Sequence, residues 1–174
     1  NVCLHQPKRN TVRMQQSTWF GAAKCCQRPI DQIVDVSNFV MLDLGQPNHT
    51  FDRKKISSGI DVRMARDEER LLTLDGEERR LQASDLLICS GEEPIALAGI
   101  MGGENSKVGE DTSALLLEVA TFDPVIVRRT SARLALRTDS SARFEKNLDP
   151  TLPLKALGHF IQILRSFQPE IQFP

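Results

Sequence analysis

Apolar side chains first recur at three- and four-residue steps. Ile30, Ile33, Val34, Val40, Met41 and Leu44, with the small Ser37 among them, form one helical face. Pro29 suits a first turn, Asp31 favours the positive end of the helix dipole, and Gly45 can take a left-handed cap. Pro47 cannot continue that helix, so Gln46-Pro47-Asn48-His49 is expected to be an ordered loop. From residue 60 the period changes to two. Ile60, Val62 and Met64 alternate with polar residues, as do Leu72 and Leu74, and Asp75-Gly76 is a hairpin dipeptide. Leu86-Leu87-Ile88 and Pro94-Ile95-Ala96-Leu97-Ala98 are short apolar strands separated by Ser90-Gly91-Glu92-Glu93. The pattern predicts a meander of mostly antiparallel strands. Gly99-Ile100-Met101-Gly102-Gly103 breaks it, and Leu115-Leu116-Leu117-Glu118-Val119 follows as a buried strand. Asp123-Pro124 opens another helix as cap and first turn, with Val125, Val127, Ser131 and Leu134 as its apolar set. A last amphipathic helix is expected from about Leu152 to Phe167. Residues 1–27 are polar and weakly patterned. Strands in a block with helices at both ends give an α+β fold, a mostly antiparallel or mixed sheet core flanked by helices.

At 174 residues, with 40% hydrophobic and 26% charged residues, the chain is one ordinary folded domain rather than a disordered or collagen-like one. Lys plus Arg is 22 and Asp plus Glu is 23, so any nucleic-acid contact must be local. Aromatics are 5%, with one Trp and no Tyr, which disfavours a base-stacking platform. The charge is unevenly spread. Residues 61–85 carry 8 acids against 5 bases, read as a solvated face; residues 121–147 carry 6 bases against 3 acids. That second cluster, Arg128 to Lys146, either meets phosphates or is a solvated basic helix face.

The four cysteines form no C-x-x-C pair, and His5, His49 and His159 are too scattered to complete a zinc spacing, so no metal site is expected. Buried thiols in a reducing cytosol are the expectation. No apolar run reaches the ~18 residues of a membrane helix, and the N-terminus lacks a signal-peptide core. The chain is therefore expected to be cytoplasmic, without membrane contact. It opens at Asn1 without Met and ends at Pro174, and is expected to be a piece of something longer.

Three features could carry chemistry. Gly99-x-x-Gly102-Gly103 allows a close backbone approach to a substrate, or is a tight bend; it matches neither the Walker nor the dinucleotide fingerprint. Glu118 ends an apolar strand, where a carboxylate either faces a pocket or points outward to water. His49 can act as acid, base or donor, or stand by as an ordinary loop histidine. No Ser-His-Asp order is apparent, and no cysteine has a nucleophile's surroundings.

Four separated blocks narrow these readings. The stretch Ile33 to Asp52, containing Asp43-Leu44-Gly45-Gln46-Pro47-Asn48-His49, is the first. Ala98-Gly99-Ile100-Met101-Gly102-Gly103-Glu104-Asn105-Ser106 is the second, and Leu117-Glu118 followed by Phe122-Asp123-Pro124 the third. Arg137-Thr138-Asp139 with Arg143-Phe144-Glu145 and Asp149-Pro150 is the fourth. In order and spacing they closely resemble the editing module of the beta subunits of bacterial phenylalanyl-tRNA synthetases. The resemblance covers roughly residues 28–165. It makes residues 28–174 an editing domain and residues 1–27 a poorly matched segment of the same domain.

The resemblance implies hydrolysis of tyrosine wrongly attached to the phenylalanine tRNA, or, as the alternative, a non-catalytic structural or RNA-binding module with an idle pocket. It places His49 near the scissile ester and the tRNA 3′ end, and Glu118 at the tyrosine para-hydroxyl. Arg28, Ser37, Asn38, Pro47, Gly99, Gly102, Thr138 and Ser140 stand where the family builds its pocket. The glycines would let backbone close over the amino acid, and Thr138 and Ser140 would shape the ring pocket. Ser37 stands where Thr is common, Ser140 where Ala is usual, Thr50 where Ala is usual and Lys107 where Gly is usual. The implied partners are the tRNA(Phe) acceptor end, a tyrosyl group and an alpha subunit in a heterotetramer. No cofactor is implied in this domain; ATP and Mg belong to the parent enzyme's synthetic site.

Overall fold

A computed structural model describes residues 2–5 and 32–172. The first strand is β1 (Val2–His5), too short to leave a period in the sequence. Helix α1 (Gln32–Leu44) buries Ile33, Val36 and Val40, one turn apart on the same face. It ends where Gly45, at φ +73°, donates its N–H back to Met41 O at 2.9 Å, as the sequence implies. Val36 and Asp35 are buried as well, which the expected apolar set left out. Ile30 and the Pro29–Asp31 helix start lie outside the described residues.

Strand β2 (His49–Asp52) begins two residues after Pro47, so His49 opens a strand rather than closing a loop. The expected meander follows as β3 (Ile60–Met64), β4 (Arg70–Leu72), β5 (Glu78–Arg80), β6 (Leu86–Ser90), β7 (Glu93–Leu97) and the short β8 (Met101–Gly102). Strand β9 (Ala114–Glu118) leads into α2 (Pro124–Arg133), α3 (Asp139–Phe144) and α4 (Leu152–Phe167). Asp123 caps α2, its Oδ1 accepting from Val125 N at 2.8 Å and Ile126 N at 3.1 Å. Thr138 caps α3 in a reciprocal box with Ser141.

The strands form three antiparallel sheets, ordered β1-β9-β2, β3-β6-β7-β8 and β4-β5. β9 is buried on both faces, which is why it reads as an unbroken apolar run. Leu115 and Leu117 pack with Ile33, Val36 and Val40 of α1 and with Phe160 and Leu164 of α4. On the opposite face Leu116 joins Phe51 of β2, Ile88 of β6 and Ile95 and Ala96 of β7. The two larger sheets therefore meet face to face. Beyond them, Leu87, Cys89 and Leu97 pack on Val127 of α2 and Phe144 of α3.

Two sequence expectations are corrected. On edge strand β3 only Ile60 of the alternating apolar set packs against the core, and Val62 and Met64 are 50% and 41% exposed. Arg63 turns inward instead, because its guanidinium grips Glu69 at 2.6 and 2.9 Å and donates to Glu92 O at 2.9 Å. The acidic stretch 61–85 is not wholly solvated either. Asp85 is fully buried, accepting from Thr130 Oγ1 and Gln82 N at 2.8 Å each and pairing with Arg133.

Candidate functional site

The register of β2 on β9 sets His49 directly opposite Glu118, and Phe51 opposite Leu116. Directly paired residues put their side chains on one face of a sheet, so the imidazole and the carboxylate share a face. That face lines a cavity together with Pro47 and Asn48, the backbone from Gly99 to Gly102, and Ser140 and Phe144 of α3. Its free volume is about 40 Å³, room for water, and about 340 Å³ with the open mouth counted.

His49 stacks edge-on against Phe51 with ring centroids 4.6 Å apart. The residue is half-buried, but its Nε2 is closed off from solvent and has no hydrogen-bond partner among the described residues. Burial lowers its pKa to about 4, so the ring is neutral at physiological pH. The Glu118 carboxylate has no hydrogen bond or ion pair to the described residues, and burial raises its pKa to about 7. An uncharged base thus stands beside an acid that titrates near neutrality, two groups poised for proton handling.

Space around the imidazole is tight. A Cβ at Gly102 would sit 2.5 Å from His49 Nε2, so only glycine lets β8 run beneath the ring. Gly99 has φ +71°, and a Cβ there would press on Phe122 and Phe144 at 3.0 Å. The motif contains the bend, at Gly99, and its close approach is to the imidazole of His49.

The other expected positions divide. Pro47, Gly99, Gly102 and Ser140 line the cavity with His49 and Glu118; Ser37, Asn38 and Thr138 do not. Ser37 acts one step removed, its Oγ donating to Asn48 O at 3.2 Å. Thr138 Oγ1 donates to Ile100 O at 2.8 Å and so holds the cavity floor. Ser140 Oγ donates to a thioether, Met41 Sδ at 3.8 Å. Arg28 lies outside the described residues. Asn48 and Phe144 line the cavity without having been singled out in the sequence. For Asn48 the one available signal was its place between Pro47 and His49. In the basic cluster, Arg133 pairs with Asp85, Arg137 with Glu145 at 2.7 Å and Arg143 with Asp139 at 3.0 Å. Arg128, Arg129 and Lys146 are exposed, which suits a phosphate contact and a solvated face alike. Among the described residues, no helix is long and apolar enough to cross a membrane.

Comparison with known proteins gives consistent matches. The family described as the B3/4 domain matches residues 9–169. The phenylalanine–tRNA ligase beta subunit of Gloeobacter violaceus is 48% identical over 142 residues, covering 81% of this chain and 18% of that protein. The corresponding subunit of Staphylococcus epidermidis is 46% identical over 149 residues, 85% of this chain and 19% of that protein. The chain thus spans less than a fifth of these curated relatives. A crystal structure of an N-terminal fragment of the phenylalanyl-tRNA synthetase beta subunit from Pyrococcus horikoshii shares the fold at TM-score 0.51 and 16% identity, over 76% of this chain and 44% of that one. The chain belongs to the B3/4 domain family, and the relatives it matches at about half identity are phenylalanine–tRNA ligase beta subunits.

Proposed function

We propose that this domain is an editing module that hydrolyses tyrosine wrongly esterified to tRNA(Phe), in the cytoplasm, as part of a beta subunit that works with an alpha subunit. The observation that carries the reading is the cross-strand pairing of His49 with Glu118 on a cavity where neither side chain is satisfied by the described residues. An aminoacyl ester is already reactive, so a site need only hold it and place a water. Water adds to the ester carbonyl, the bond from that carbon to the ribose oxygen breaks, and the proton passes to that oxygen, which leaves as the ribose hydroxyl. Neutral His49 can accept the water's proton through Nε2 and return it to the leaving oxygen. Glu118 accepts from the phenolic hydroxyl. A buried acceptor left unpaired by phenylalanine rejects it by ~10⁴-fold or more. ATP and Mg would act only at the parent's synthetic site.

The test is deacylation of Tyr-tRNA(Phe) by the full-length synthetase carrying His49→Ala or Glu118→Gln. Loss of about a hundredfold or more with His49→Ala, and loss of the Tyr/Phe preference with Glu118→Gln, is the expected result. Unchanged hydrolysis in both variants would remove the roles assigned to His49 and Glu118. Ser140→Ala addresses the ring wall: a changed Tyr/Phe ratio assigns Ser140 to selection, and an unchanged one removes it.

A further inference from the structure

Asn48 carries an acceptor that no described residue explains. Its Nδ2 donates to Ser37 O at 3.1 Å, and Ser37 Oγ donates back to Asn48 O at 3.2 Å. A carbonyl can only accept, so this pair fixes which end of the amide is nitrogen. Oδ1 is then the end left over. It is buried and has no partner among the described residues. A buried acceptor without a donor is destabilising, and such groups call for a specific reason. Gln46 also has an unpartnered Oε1, but its Nε2 clamps Pro47 O at 2.9 Å and Ala120 O at 2.8 Å, and it does not line the cavity. Asn48 does line it. No lysine or arginine lines that cavity among the described residues, and its other polar groups are His49, Glu118 and Ser140. Among the described residues the site presents acceptors and no lysine or arginine, which is the complement of a cationic ligand head.

We propose that Asn48 Oδ1 receives the α-ammonium of the bound aminoacyl group, making Asn48 a substrate-binding residue that distinguishes an amino acid ester from esters lacking the amine. This deepens the editing reading and rests on it for the identity of the ligand. The ammonium at Asn48 and the phenol at Glu118 would then fix the acyl group by two polar ends, with His49, adjacent to Asn48 in the chain, facing the carbonyl between them.

Two probes separate this from a purely structural role. L-Tyrosinamide and 3-(4-hydroxyphenyl)propanamide differ only in the amine. Their binding to the full-length synthetase is compared at a pH where that amine is protonated, in wild type, Asn48→Leu and Asn48→Asp. Binding elsewhere cancels in the wild-type-minus-variant difference. The expectation is that Asn48→Leu lowers the preference for tyrosinamide about tenfold or more, the size of one charge-assisted hydrogen bond, and leaves the propanamide's affinity unchanged. Asn48→Asp, which keeps the acceptor but loses the donor to Ser37, retains the preference. If Asn48→Leu weakens both probes equally, or leaves the preference intact, the assignment is wrong. Hydrolysis of Tyr-tRNA(Phe) is followed in parallel. An amine preference that depends on Asn48 in an enzyme that does not hydrolyse would overturn the editing reading and leave the ammonium site standing. Hydrolysis with an amine preference indifferent to Asn48 would do the reverse.

Discussion

At the scale of single residues, the site is built at the expense of stability. Glu118 titrates near 7 in the folded protein against an ordinary value of 4.5, because burial disfavours its anion. The folded state therefore holds a proton that the unfolded chain has lost between those values, and stability falls as pH rises through that window. Glu118→Gln removes the penalty. Denaturant unfolding at pH 8 should find the variant more stable by on the order of 3 kcal/mol, with the gain vanishing toward pH 4.5. His49 works in the opposite direction. Its folded pKa is about 4 against 6.5 unfolded, so the unfolded chain binds the proton first and stability falls as pH drops from 6.5 toward 4. Each unfavourable burial prepares a protonation state: a neutral imidazole and a carboxyl on the edge of ionising. Under the editing reading, the Tyr/Phe preference should rise as pH passes upward through about 7, where Glu118 becomes the better acceptor. A pH series of the two hydrolysis rates checks this. Gly102 sets a steric limit on the same pair. A methyl there lies 2.5 Å from His49 Nε2, so Gly102→Ala must displace the ring, and a shift of that size is expected to slow hydrolysis by about a hundredfold.

At the scale of elements, local pattern was informative and pairing was not. Helix α4 spans Leu152–Phe167 as its periodicity predicts, and Asp123-Pro124 opens α2 with a side-chain cap. Those signals are written in residues three or four apart. The apolar run at Leu115 likewise announces a buried strand, but its partners β1 and β2 lie far away in the chain, and no local pattern encodes them. For that reason Glu118 admitted both an inward and an outward reading until the register with His49 was seen. Strand β3 misled for a related reason: alternation shows that two faces differ, and the grip of Arg63 on Glu69 decided which face turned inward. Register also supplies a test. One residue inserted between Leu115 and Leu116 would turn Glu118 to the face of α1 and α4. Deacylation should be abolished, whereas an insertion at the exposed Gly91-Glu92 turn should be tolerated. Thr138 joins two elements, capping α3 and holding Ile100 O. Thr138→Val should cost about 1–2 kcal/mol in denaturant unfolding.

At the scale of the whole molecule, β9 belongs to two interiors. One face is held by α1 and α4, and the other meets the second sheet and ends at the cavity. Phe160 is fully buried in the first and remote from the second, and Phe160→Ala should lower stability by about 3–5 kcal/mol. Below its melting temperature the variant should still deacylate at the parent rate, since the hydrogen-bonded ladder that sets His49 against Glu118 remains. The wall opposite that ladder is made differently. Ser140 and Phe144 reach the cavity from α3, an element outside the sheet that carries His49 and Glu118. Under the editing reading, the ring wall is thereby lodged in a different part of the scaffold from the sheet that carries His49 and Glu118. Under that reading, side chains on the helix are free to change over evolutionary time and reshape the wall of the cavity, while the register that pairs His49 with Glu118 keeps its place.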